Sequence, residues 1–112
     1  MELWVRGNVA IRQMHFPYAR SAPIEGHKHN FDHVTYVKRG GLRIEKLDDD
    51  GNVVQSVDKY ATDDNNAVLI LAGVRHRIWP LMDNSAGDCI YAHRTPQGDV
   101  VQEYTGWKEA YC

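Results

Sequence analysis

Four of the chain's six histidines fall in two short segments, Gly26-His27-Lys28-His29-Asn30-Phe31-Asp32-His33 and Ala72-Gly73-Val74-Arg75-His76. Alternate residues of an extended strand share a face, so His27 and His29 are expected to point the same way, and His33 keeps that parity if the segment stays extended. His76 follows on a separate strand pattern, which is how an antiparallel protein closes a site from two directions. Imidazole nitrogen suits iron, nickel, copper and zinc, and three or four such donors without cysteine leave coordination positions open to substrate. An HxH pair alone is most simply two surface histidines. His33 alone could hydrogen-bond at a rim and leave His27, His29 and His76 as the donor set.

The elements that must position these residues are strands. Apolar residues alternate or come in short runs rich in Val, Ile and Tyr, bounded by Gly, Asp, Asn and Pro, and helical spacing is hard to find. We read strands near 2–6, 8–14, 33–38, 41–47, 52–59, 67–71, 75–82, 87–94 and 99–105. Such closely spaced short strands predict an all-β sandwich or barrel, built as one domain over 1–112. Asp48-Asp49-Asp50-Gly51-Asn52 reads as a hairpin turn, and it lacks the alternating oxygen ligands and distal glutamate of a calcium loop.

The histidine segments also carry a resemblance. Gly26-His27-Lys28-His29, then His33, then Gly40, resembles the first motif of the cupins, in which two histidines are followed by a glutamate and a downstream glycine. Leu71-Ala72-Gly73-Val74-Arg75-His76 resembles their second motif, a proline, a glycine and the third histidine. The resemblance covers residues 26–82 directly. It implies a jelly-roll β-barrel (a double-stranded β-helix) with one divalent metal ion on His27, His29, His33 and His76, Fe(II) first and Zn, Ni or Mn as alternatives. Two departures stand out: His33 replaces the glutamate, and Leu71 replaces the proline. An all-histidine shell leaves the ion its full double charge, which makes it a stronger Lewis acid.

On the resemblance, the activity expected is dioxygenase chemistry on a small organic acid, diketone or thiol. A metal-dependent isomerase or lyase and a non-catalytic small-ligand-binding barrel are the alternatives. Ile78 shares the face of His76, and Cys89, Tyr91 and His93 share a face of their strand. If that face is the lumen, Cys89, Tyr91 and His93 line the pocket with Ile78, and His93 is a candidate acid or base. If it is the outer face, they are packing or surface groups. Tyr36 and Glu45 are the candidates, by strand parity, to accept the second N–H of a ligating imidazole, or they are ordinary barrel packing, and Tyr36 is placed in the pocket. Arg94, with Arg75 and Arg77, could meet a substrate carboxylate at the mouth or simply be solvated.

Composition narrows the partners. The net charge of −2 is dispersed, so there is no phosphate-neutralising patch and nucleic acid is not expected. No run approaches the ~18 apolar residues of a membrane helix, and the start lacks the apolar core of a leader, so a cytoplasmic protein is expected. Cys89 and Cys112 read as free thiols. A homodimer through an exposed edge strand is the expected assembly.

Overall fold

The structure is a computed structural model that describes residues 2–26 and 28–100. Among the described residues there are nine strands: β1 (Glu2–Arg6), β2 (Val9–Phe16), β3 (Ile24–Gly26), β4 (His33–Arg39), β5 (Gly41–Leu47), β6 (Val53–Tyr60), β7 (Ala67–Ile70), β8 (Arg75–Pro80) and β9 (Ser85–Ala92). They form two antiparallel sheets, ordered β1-β2-β9-β4-β7 and β3-β8-β5-β6. No helix occurs among the described residues, and none is therefore long and apolar enough to cross a membrane. The all-β jelly-roll expectation stands.

The period of two decides which side chains enter the space between the sheets. Along β2 the even positions turn inward, with Ala10, Met14 and Phe16 at 0–3% exposure. On β4 the inward set is His33, Thr35 and Val37, and on β8 it is His76 and Ile78. Met14, Phe16, Val37, Leu42, Ile44, Ile70, Ile78 and Cys89 form one apolar cluster, so both sheets bury a face against the other.

Two features differ from the sequence reading. β3 was not anticipated: three residues after Pro23 are too few for periodicity to register, and β3 exists because it pairs with β8, Ile24 opposite Ile78 and Gly26 opposite His76. The strand expected over 99–105 lies outside the described residues from 101 onward, and before that the chain forms a single bridge between Arg94 and Val100. The Asp48–Asn52 turn forms as expected. Asp48 Oδ1 accepts from the Asp50 and Asn52 amides at 3.0 and 2.8 Å, and Gly51 alone takes the positive φ, +87°.

Candidate metal centre

His33 opens β4 and His76 lies in β8, one from each sheet, and both are 4% exposed. His29 reaches them from a loop. The parity expectation therefore fails as a mechanism, because residues 28–32 are not a strand. What holds the loop is a dock onto the β7–β8 turn: the Gly73 amide donates to the His29 carbonyl at 2.8 Å, and the Ala72 amide donates to Asp32 Oδ1 at 2.7 Å. Gly73 sits in that turn at φ +79°, a conformation glycine adopts without steric cost. The two histidine segments are thus bonded to each other directly.

The three rings close on one point. Ring centroids are 5.3 Å apart for His29 and His33, 5.7 Å for His29 and His76, and 5.2 Å for His33 and His76. One nitrogen from each lies within 4.8 Å of the others, a group that could hold a single ion once the rings draw in to bonding distance. His76 Nδ1 faces the Val74 carbonyl at 3.3 Å; a carbonyl only accepts, so Nδ1 carries the proton and Nε2 carries the lone pair. This is the orienting bond that a ligating imidazole ordinarily makes.

His33 carries the fit test. Both its ring nitrogens are buried with no hydrogen-bond partner among the described residues, an arrangement that costs free energy unless something else engages them. Burial first, and then the neighbouring His76 and His29, lower its pKa to about 4 against the opposing pull of Asp32. The ring is held neutral, as a ligand must be. Three such imidazoles fit a divalent ion of the borderline kind. His27, expected as a fourth donor, lies outside the described residues.

A cavity of about 410 Å³ opens over the triad. Ile78, Tyr91, His93 and Arg94 line it with the three histidines, so the face of β9 that carries Cys89 and Tyr91 is the inner one. Tyr36 is a correction: three positions from His33, it falls on the opposite face of β4, is 39% exposed and does not line the cavity. Arg75 and Arg77 are also elsewhere. Arg77 donates to Glu45 Oε1 at 2.8 Å, Trp79 Nε1 donates to the same oxygen at 2.6 Å, and Arg75 donates to the Asp49 carbonyl at 3.3 Å.

Two cavity residues, Phe31 and Arg12, have no role in the sequence reading. Phe31 stacks between His29 and Tyr91, with centroids 4.9 and 4.8 Å away, and the Arg94 guanidinium lies 5.5 Å over its ring. Arg12 enters from β2, and its signal was available: Ala10, Arg12, Met14 and Phe16 share one face, and a single charge interrupts an apolar row. Cys89 also borders the cavity, its thiol pKa raised by burial and its Sγ 3.5 Å from Thr35 Oγ1.

No protein-family model matches the sequence, and no curated protein matches it. Solved structures do match in fold. A cupin superfamily protein of Desulfitobacterium hafniense superimposes with a TM-score of 0.62 at 17% identity, over 83% of this chain and 74% of that one. A cupin-2 domain protein of Shewanella frigidimarina gives 0.58 at 18% identity, over 80% and 76%. A variant of the Bacillus subtilis oxalate decarboxylase gives 0.60 at 20% identity over 86% of this chain, which spans only 24% of that longer protein. At such identities the likeness speaks of architecture, and together with the two sheets and the histidine triad it identifies the chain as one with the cupin fold.

Proposed function

We propose that this protein is a mononuclear metal enzyme acting on a small organic molecule held over His29, His33 and His76, with oxygen-dependent oxidation of an organic acid, diketone or thiol as the reaction class and Fe(II) as the ion. The observation that supports it most strongly is the His33 ring, buried between two other imidazoles with neither nitrogen partnered among the described residues. A bound divalent ion supplies Lewis acidity and open coordination positions there. The protein's own part is to hold three neutral donors, to exclude bulk water with Met14, Ile24 and Ile78, and to offer His93 at the cavity wall as the group that takes or gives a proton.

A metal-dependent lyase or isomerase is the second reading. It is favoured by the presence of oxalate decarboxylases, which act on a small dicarboxylic acid, among the proteins of like fold. Oxygen separates the two. The test is elemental analysis of the untagged protein followed by oxygen uptake with Fe(II) across organic acids, diketones and thiols. Near-stoichiometric metal, lost in His33→Ala, with Fe(II)-dependent uptake is the expected result. Turnover that persists anaerobically with Mn(II) or Zn(II) would select the lyase or isomerase, and no metal after reconstitution would remove both readings.

We also propose a homodimer, formed by a sheet face. Ile11, Ile90, Val34 and Leu69 stand in one cross-strand row on the outside of the five-stranded sheet, with Trp4 at the next register position. Ile90 and Val34 are each 36% exposed and Leu69 is 61% exposed. An apolar row across four of the sheet's five strands is a surface that a second sheet covers well.

A further inference from the structure

The proposed function leaves the charge of the substrate open, and the cavity wall speaks to it. Arg12 projects from the inner face of β2, where its neighbours on that face, Ala10, Met14 and Phe16, are 0–3% exposed. Its register partner on β9 is Cys89, so it stands over the part of the cavity that the triad also borders. Arg94 borders the same space just beyond β9. Phe31 lies against it, Nη1 donates to the Gly98 carbonyl at 3.1 Å, and Nε is buried with no partner among the described residues.

Neither arginine forms a salt bridge among the described residues. Among the described residues one carboxylate borders the cavity, Glu25, which lies 3.7 Å from Arg77, whose guanidinium is also held by Glu45. Arg12 is exposed and Arg94 half-buried, so both guanidiniums are open to an anion that enters the cavity. Two cations against one carboxylate, beside three imidazoles that could hold a divalent ion, leave the described lining of the cavity net positive.

We infer that Arg12 and Arg94 form an anion subsite beside the triad, and that the substrate is a small carboxylate anion rather than a neutral diketone. This rests on the metal-centre reading for the triad and narrows its substrate. A guanidinium binds carboxylate through a planar fork, which a neutral carbonyl cannot match in charge. Arg94 is pre-set by its contact with Phe31 and its bond to Gly98, while Arg12 is the adaptable partner.

The test is calorimetric titration of malonate and of its neutral diamide into the full chain loaded with Zn(II), which is redox-silent. Malonate is expected to bind, the diamide to bind at least about tenfold more weakly, and Arg12→Gln or Arg94→Gln to weaken malonate by about tenfold or more, with Arg12→Lys recovering part of the loss. Zinc affinity should stay within about threefold of wild type in all three variants, which separates loss of the subsite from loss of fold. Equal binding of malonate and diamide, or malonate binding indifferent to both arginines, overturns the subsite. If the wild-type chain takes up no zinc, the metal-centre reading falls, and the same titration on the metal-free protein decides the subsite: arginine-dependent malonate binding upholds it and its absence overturns it.

Discussion

The Phe31 ring lies nearly parallel to the His29 imidazole, with planes 23° apart and centroids 4.9 Å apart, and its stacking on Tyr91 ties the pair to β9. His29 is the member of the triad that no strand holds, so its ring orientation depends on this contact and on the Gly73 bond to its carbonyl. Phe31→Leu keeps apolar bulk but removes the flat platform. We expect it to weaken zinc binding by about three- to thirtyfold, the worth of an aromatic pair together with some loss of ring order. A chelator competition titration reads this, and unchanged affinity would assign Phe31 to packing alone.

His33 should act oppositely on stability and on metal binding. Without metal its two unpartnered nitrogens are a standing penalty, so His33→Leu is expected to raise the stability of the metal-free protein by about 1–2 kcal/mol. The same variant should lose the rise in Tm that zinc gives the wild type, since only a native state with a binding site gains from the ion. Thermal melts with and without zinc check both. A metal-free variant less stable than wild type would mean that the ring's packing outweighs its desolvation.

Most of the architecture was legible because strand alternation is local. His33, Thr35 and Val37 announce one face of β4, and Ile78 follows His76 on β8. The same rule, applied three positions along, misplaced Tyr36. His29 shows where local reading ends: it was assigned to the site by extending a strand from His27, yet what delivers it is a loop docked on the 71–74 turn, a long-range hydrogen-bond arrangement with no periodic signature. Arg12 is legible by the same local rule, as the one charge on the face that Ala10, Met14 and Phe16 make apolar.

The apolar row on the outer sheet face predicts the assembly. Light scattering at micromolar concentration is expected to give twice the chain mass of 12.8 kDa. Leu69→Lys and Ile90→Lys, which put charge at the edge and near the middle of the row, should shift the protein toward single chains without unfolding it, because both side chains already meet solvent in the isolated chain. A wild-type monomer, or a dimer indifferent to both lysines, would remove the face from consideration.

The pH dependence of the metal-free protein follows from the same burial that shapes the triad. His33 titrates near 6.5 when unfolded and at about 4 in the fold. Between those values the unfolded chain carries a proton that the native chain does not, so stability rises with pH across the window and falls as acid is added. The slope from this one group is at most about 1.4 kcal/mol per pH unit, and above pH 6.5 its contribution is fully present. Denaturant unfolding of wild type and His33→Leu between pH 4 and pH 7 checks it. The variant should lack this part of the slope, and parallel curves would show that the acid sensitivity lies in other groups. Zinc should steepen the wild-type dependence, because protons compete with the ion for the same imidazole nitrogens.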